Sequence, residues 1–83
     1  MKVAIRYFAS VREALGAGET LEVPAGATVA DVRDALIARD ADHAAVLDRS
    51  RAVRSALNQV LCTDDAAVGE GAEVGFFPPV TGG

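Results

Sequence analysis

The spacing of apolar and polar residues predicts a strand at the start of the chain and a short helix after it. Residues 2–8, KVAIRYF, place Val3, Ile5 and Tyr7 on one face and Phe8 on the other. This is the period of a strand with one buried face. The sequence SVRE that follows has the serine-to-glutamate spacing of a helix capping box, and two glycines soon after it predict that the helix is brief.

A second strand and a longer helix are predicted next. Residues 20–23, TLEV, alternate again and run into a Pro-Ala-Gly turn. Thr28 and Asp31 repeat the capping-box spacing. The apolar residues after them recur on one helical face, with Arg33 off that face, so we expect the main helix to end near residues 39–40.

The remaining pattern predicts three further strands. Residues 52–57 and 60–63 indicate two short strands joined at Asn58-Gln59, and residues 73–77 indicate the last strand. The segment before them is ambiguous, a loop with one helical turn around residues 44–47. The order of elements predicts an α+β fold of the β-grasp (ubiquitin-like) type, a small mixed sheet with one main helix packed on one face.

Composition limits the classes of protein to which the chain can belong. Its 83 residues suit one domain, and a hydrophobic content of 51% argues against disorder. The net charge of −4 without a basic stripe argues against a nucleic-acid partner. One cysteine, Cys62, allows no internal disulfide, and no apolar run approaches the ~20 residues that span a bilayer. We therefore expect a cytoplasmic protein without a membrane partner.

The chain ends in an unusual sequence, FFPPVTGG. Pro78 and Pro79 lack N–H donors, so a sheet cannot continue through them, and consecutive prolines favour an extended backbone. Two glycines make the thinnest stretch that a polypeptide can offer. We expect a domain over residues 1–78 and a flexible, extended tail over residues 79–83 that can enter a narrow channel.

FFPPVTGG closely resembles the C-terminus of the small, sulfur-carrying subunits of molybdopterin synthase. YFASVREALG, LNQVL and GEGAEVGFFPP resemble other segments of that family, so the resemblance covers nearly the whole chain. One departure is Ala72, where family members often carry an acid after the turn glycine. The wider sulfur-carrier group, which includes the thiamine-pathway carrier, also ends in GG but generally lacks FFPP.

The resemblance implies a function for the last residues. A ubiquitin-activating-like enzyme would adenylate Gly83 with ATP and Mg²⁺, and a sulfur donor protein would convert it to a thiocarboxylate. Val80, Thr81 and Gly82 would thread the terminus into the large catalytic subunit, which holds the cyclic pyranopterin monophosphate precursor. The family assembly holds two small and two large subunits. The chain itself would bind no cofactor and no metal, and would be non-catalytic alone.

Strand parity predicts where the partner would dock. If Val74 and Phe76 face the core, then Phe77 faces the opposite side, together with Phe8 of the first strand. Aromatic and arginine anchors on an open sheet face are typical of protein interfaces. We therefore predict partner contacts at Phe8, Phe77 and the two prolines after it, with Arg12 at the rim as the family resemblance suggests.

Other candidates carry less chemistry. Cys62 is predicted to be a buried structural residue, since no His or Lys stands beside it in the sequence to lower its pKa. His43 is predicted to be a solvated loop residue, and Asp64, Asp65 and Glu70 to be turn residues. Two alternative functions stay open: a sulfur carrier for thiamine or another sulfur metabolite, and a ubiquitin-like interaction module or protein modifier that does not use sulfur.

Overall fold

The computed structural model describes residues 1–79, which form five strands and three helices. The strands are β1 (Lys2–Tyr7), β2 (Gly18–Glu22), β3 (Arg54–Leu57), β4 (Val60–Cys62) and β5 (Glu73–Phe77). The helices are α1 (Ala9–Leu15), α2 (Val29–Ile37) and α3 (Ala41–Leu47). None of these helices is long and apolar enough to cross a membrane.

The strands of residues 1–79 form one mixed sheet in the order β2-β1-β5-β3-β4. The central strand, β5, runs parallel to β1, and the other neighbouring strands are antiparallel. The amide of Phe8 donates to the carbonyl of Phe76 at 3.1 Å, so the pairing continues to the end of β1. This topology confirms the predicted β-grasp fold.

The helices cover one face of the sheet and enclose the core against it. Val74 and Phe76 are fully buried, as strand parity predicts, and the ring of Tyr7 stacks on Phe76 with centroids 6.4 Å apart. Alternation places the inward residues of β1 in the same core. The largest fully buried side chains are Tyr7, Phe76, Ile5, Leu36, Leu47, Val3, Val29, Val32 and Val74.

The predicted capping box of the main helix is present. The amide of Asp31 donates to the Thr28 hydroxyl at 3.3 Å, and the amide of Thr28 donates to the Asp31 carboxylate at 2.9 Å. These bonds satisfy donors that the first helical turn leaves free. The helix ends at Ile37, slightly earlier than predicted.

The capping box predicted at Ser10 is wrong. A cap at Ser10 would start the helix at residue 11, but α1 begins two residues earlier, at Ala9, and Ser10 lies inside it. Phe8 occupies the N-cap position, and its carbonyl accepts hydrogen bonds from the amides of Val11 and Arg12 at 3.2 and 3.3 Å. The strand leads directly into the helix, so no separate capping side chain precedes it.

The observed strand boundaries differ slightly from the predicted ones, and the predicted hairpin is confirmed. β2 begins at Gly18, two residues before the predicted start, and β3 begins at Arg54. Asn58 and Gln59 join β3 to β4 with φ values of 50° and 69°. Positive φ at both central residues is the geometry that a two-residue hairpin turn favours.

The ambiguous segment after α2 forms a full helix, α3. Asp40 caps the N-terminus of α3, because its carboxylate accepts a hydrogen bond from the backbone amide of His43 at 2.9 Å. The helix buries Leu47, the last of its apolar residues. The sequence pattern missed most of α3, because seven residues are too few to show a clear helical period.

Arg33 was predicted to lie off the buried face of α2, and that prediction is wrong. The residue is only 4% exposed. Its guanidinium donates to the carbonyls of Leu47, Asp48 and Arg51 at 2.6, 2.8 and 3.2 Å. Arg33 thus fixes the end of α3 and the loop after it to the middle of α2, since a buried guanidinium is tolerated only where its donors find acceptors.

Replacement of Arg33 is expected to destabilise the fold. Arg33→Met keeps the apolar stem but leaves the buried carbonyls without their donors, so the free energy of unfolding should fall by about 2–4 kcal/mol. Arg49→Met is the matched control, because Arg49 forms an exposed ion pair with Asp34 that contributes less than about 1 kcal/mol. Urea unfolding of both variants makes the comparison, and equal losses would contradict the assigned role.

Candidate functional site

Pro78 and Pro79, here called the neck, follow β5 directly and are half-buried. Since neither proline has an N–H to donate, the hydrogen-bond ladder stops at Phe77. The predicted tail residues Val80, Thr81, Gly82 and Gly83 lie outside the described residues. Their threading and carrier roles therefore stay predictions, as does the domain boundary at residue 78.

The face of the sheet opposite the helices, here called the outer face, carries a row of small residues between larger ones. In the register of the sheet, Ala56 pairs with Leu61 on one side and with Gly75 on the other. Gly75 in turn pairs with Arg6 of β1. Four adjacent strands thus contribute to one row in which the two central side chains are the smallest.

The ring of Phe8 lies over Gly75. A Cβ placed on Gly75 would lie 3.0 Å from Cε2 of Phe8, so the absence of a side chain is what lets the ring approach the sheet. Phe8 nevertheless stays 41% exposed. The guanidinium carbon of Arg6 lies 6.0 Å from the centre of the Phe8 ring, which is within reach of a cation–π contact. Phe8 is therefore positioned by the sheet and still offers its surface to solvent.

A hollow of about 340 Å³ opens on the outer face beside the Phe8 ring. Its lining combines both aromatic residues that parity placed there, Phe8 and Phe77, with Leu61 of the edge strand β4. Exposed apolar area of this kind, grouped on one face, is the mark of an interaction surface. Phe77 lies in β5 as predicted, whereas Phe8 follows β1 as the N-cap of α1. Both nevertheless line the same hollow, and their role in binding stays a prediction.

The sequence analysis did not single out Leu61, which is 63% exposed. Its neighbour Val60 is 68% exposed but does not line the hollow. In the structure, the partly buried Cys62 packs at the edge of the core, so alternation along β4 directs Leu61 to the outer face. Arg12 is exposed on α1, one helical turn after Phe8, and does not line the hollow.

His43 was predicted to be a solvated loop residue, and that prediction is wrong. It is part of a polar cluster at the edge of the core. It lies in α3 with its side chain 12% exposed. Its Nε2 is 2.8 Å from the Glu19 carboxylate, and its Nδ1 is 2.7 Å from the Asp40 carboxylate. The Tyr7 hydroxyl donates to Glu19 at 2.7 Å, and Arg39 also pairs with Glu19. The cluster joins β1, β2 and α3.

The cluster shifts the titration of its members. Burial alone would lower the pKa of His43, but the hydrogen bonds that its ring donates to Glu19 and Asp40 outweigh burial, and the pKa is raised above the usual 6.5. Burial likewise opposes ionisation of Glu19, yet hydrogen bonds from Tyr7 and His43 hold its pKa below 4.5. The ionised carboxylate and the imidazolium therefore stabilise each other.

The remaining candidate residues, Cys62, Asp64 and Glu70, make contacts that are typical of structural residues. Burial, with the charge of Asp64 next, raises the pKa of the Cys62 thiol, which disfavours the reactive thiolate. Asp64 accepts the Ser55 hydroxyl at 3.2 Å, and Glu70 accepts the Lys2 amide at 2.9 Å. Within residues 1–79, no group of three or more His, Cys, Asp or Glu side chains is arranged to hold a metal ion.

The fold and the outer face define a β-grasp domain with an exposed apolar hollow on the sheet face opposite its helices. Comparison with protein families extends this assignment. The sequence profile of the ThiS family matches residues 5–83, and the chain belongs to that family. It is 36% identical over 81 residues to the molybdopterin synthase sulfur carrier subunit of Escherichia coli, a match that covers 98% of this chain and 99% of that protein.

Solved structures show the same fold. SAMP1 from Haloferax volcanii superposes with a TM-score of 0.80 at 27% identity, over 100% of both chains. The putative molybdopterin converting factor subunit 1 from Pyrococcus furiosus superposes with a TM-score of 0.76 at 32% identity, over 95% of this chain and 98% of that one. The β-grasp prediction and the family resemblance are both confirmed.

The His43 cluster predicts that the stability of the fold falls as the pH rises above neutrality. A raised pKa in the folded state means that the stabilisation is complete below the unfolded value of 6.5 and is lost as the pH rises through the folded value. His43→Gln removes the charge and keeps hydrogen-bonding capacity. The difference in melting temperature between the wild-type protein and this variant should be largest near about pH 5.5 and shrink by about pH 8.5.

The comparison isolates a single group, because His43 is the only histidine of the chain. A difference in melting temperature that stays constant across this pH range would contradict the proposed charge interaction. The Asp42→Asn variant serves as the control, since Asp42 is exposed in the same helix outside the cluster.

Proposed function

We propose that the chain is a sulfur carrier of molybdenum cofactor biosynthesis and acts as the small subunit of molybdopterin synthase. The observation that carries the proposal is the full-length match at 36% identity to a protein of that name. The terminal FFPPVTGG, whose first two residues are the end of the last strand of the sheet, supports the same assignment.

The proposed chemistry takes place at the carboxyl group of Gly83. That group is ionised at neutral pH, with an ordinary pKa of about 3.3–3.7, and a resonance-stabilised anion resists attack at carbon. Adenylation removes this barrier: a carboxylate oxygen attacks the α-phosphorus of ATP, and pyrophosphate leaves. A sulfur nucleophile at the oxidation level of sulfide then attacks the acyl carbon, and AMP leaves with the C–O electron pair.

The resulting thiocarboxylate is ionised near neutrality and polarisable, which makes its sulfur a good nucleophile. In the synthase, this sulfur attacks a carbon of the cyclic pyranopterin monophosphate precursor, and a C–O bond at that carbon breaks so that the oxygen leaves with the electron pair. Water then attacks the acyl carbon of the thioester so formed, the acyl–sulfur bond breaks, and Gly83 is released as a carboxylate while the sulfur stays on the pterin. Two such transfers are needed for one dithiolene. Enclosure of the tail in the large subunit shields the sulfur from water and from other electrophiles.

The outer face is the surface that we assign to the partner. The ring of Phe8 lies over Gly75, and Phe77 and Leu61 line the same hollow. Phe77 immediately precedes the neck, so we propose that a protein that binds this hollow also receives the tail. Aromatic anchors that lie in a hollow contribute most where a partner excludes water from them.

This chemistry determines which partner proteins and cofactors the carrier requires. ATP and Mg²⁺ belong to the ubiquitin-activating-like enzyme and the pterin to the large subunit, so this chain needs no cofactor of its own. We place it in the cytoplasm with these partners and with a sulfur donor protein. The proposed synthase is a heterotetramer of two small and two large subunits.

A modifier is the second candidate, and the likeness to SAMP1 favours it. SAMP1 is a small archaeal modifier protein, and its fold matches this chain with a TM-score of 0.80. The same activated Gly83 would then form an amide with a lysine of another protein. A carrier for thiamine or another sulfur metabolite is the third candidate. The profile of the ThiS family matches the chain up to residue 83, and the match does not specify which molecule receives the sulfur.

Intact-mass spectrometry of protein from its native host tests the carrier chemistry. Exchange of one oxygen for sulfur should add about 16 Da, located on the C-terminal peptide, after incubation with the activating enzyme, ATP and a sulfur donor. Loss of Gly83 should abolish the added mass and lower molybdopterin formation at least about a thousandfold, as removal of a covalent participant does.

The control for this measurement is stability. The chain without Gly83 should keep the wild-type melting temperature, because the strands and helices that form the core end at Phe77. Absence of the sulfur adduct in the wild-type chain would contradict the carrier, and amide-linked conjugates with other proteins would favour the modifier instead.

Binding to the large subunit tests the outer face. Phe77→Asp and Leu61→Asp each place a carboxylate in the hollow, so each should weaken binding at least about a hundredfold, the range of a lost hot-spot side chain. Calorimetric titration of the large subunit from the same organism measures the effect.

Val60→Asp is the matched control. Val60 is as exposed as Leu61 and adjoins it, but it does not line the hollow. It should bind within about twofold of the wild-type affinity, because surface changes away from an interface have small effects. Equal weakening by Leu61→Asp and Val60→Asp would overturn the assignment of the outer face.

A further inference from the structure

Two arginines flank the neck on opposite sides. Arg54 begins β3 and is the cross-strand partner of Phe77, the last residue of β5. Alternation along β3 places Arg54 on the outer face, because the following residue, Ser55, is buried in the core. Arg51 lies in the loop after α3 and borders, together with both prolines of the neck, a groove on the helix side.

These two arginines carry charge that the fold does not use. Both are exposed, and within residues 1–79 neither guanidinium forms an ion pair or a hydrogen bond. By contrast, the same part of the chain pairs four other arginines with carboxylates: Arg6, Arg33, Arg39 and Arg49.

The carboxylates near the neck are engaged within the fold. Asp64 shares a groove with Arg54 and Pro79, but its oxygens face the Ser55 hydroxyl at 3.2 Å and the guanidinium of Arg33 at 3.8 Å. Asp48, in the loop that holds Arg51, accepts the Ser50 hydroxyl. The uncompensated charge beside the neck is therefore positive, although the whole chain carries −4.

The position of the neck determines which part of a partner protein lies against Arg51 and Arg54. The chain passes from Pro79 into residues 80–83, so a protein that encloses those residues must surround the neck and contact the grooves on both sides of it. We propose that Arg51 and Arg54, here called the collar, bind carboxylates on the rim of the channel that receives the tail. This inference rests on the proposed carrier function.

The collar would orient the carrier as well as bind it. An acidic rim repels a chain of net charge −4 in most orientations. It attracts the chain when Arg51 and Arg54 face the rim. Exposed charges at the rim of an interface act mainly on the rate of association and on its salt dependence. The collar therefore favours encounters in which the tail faces the channel.

Charge reversal at single positions tests the collar. Arg51→Glu and Arg54→Glu should each lower the rate constant for association with the isolated large subunit of the same organism about tenfold at low salt. The deficit should shrink toward the wild-type value at about 0.5 M NaCl, where charges are screened beyond a few ångströms. Stopped-flow mixing measures the rate, and melting temperatures confirm that each variant is folded.

Lys2→Glu is the matched control, because it changes the net charge by the same amount. Lys2 is exposed at the start of β1, and since β1 runs parallel to β5, it lies at the end of the sheet away from the neck. It should slow association by no more than about twofold.

The outcomes separate the collar from the function on which it rests. Association of Arg51→Glu and Arg54→Glu at the wild-type rate, or equal slowing by all three variants, would overturn the collar and leave the carrier function intact. If the wild-type chain neither binds the large subunit nor gains sulfur, the proposed function fails, and the collar fails with it.

Discussion

The parallel pairing of β1 with β5 is the constraint on which the rest of the structure depends. β5 is the central strand of the sheet: β1 lies on one side of it and carries β2 at the edge, and β3 lies on the other side and carries β4. The inward side chains of β1 and β5 form the centre of the core, where Tyr7 stacks on Phe76. A parallel pair needs a long crossover connection, and the segment between the two strands supplies the helices that cover this core.

The same pairing separates the face of the sheet that forms the core from the outer face, which we propose as the docking surface. The inward residues of β5 are fully buried, while its outward residues, Gly75 and Phe77, line the hollow with Phe8. Because alternation in a strand is strict, the two roles need not compete for the same side chains. β5 therefore connects the core, the proposed docking surface and the neck within five residues.

Local patterns predicted the parts of the fold that depend on local interactions. The capping box at Thr28 and the alternation of β1 and β5 require only near neighbours in sequence. Arg33 and His43 were misplaced because their partners come from residues 14 to 24 positions away, and no helical or strand period reports such contacts. Leu61 was missed because three residues of an edge strand show too little alternation to assign a face.

The central place of β5 has a consequence for biosynthesis of the protein on the ribosome. Synthesis proceeds from the N-terminus, so β1 and β3 emerge before the strand that separates them in the sheet. A nascent or truncated polypeptide that lacks residues 73–77 leaves both strands with an open edge. Translation must therefore have passed those residues before the β-grasp can close, which couples completion of the fold to the presence of the segment that bears the neck.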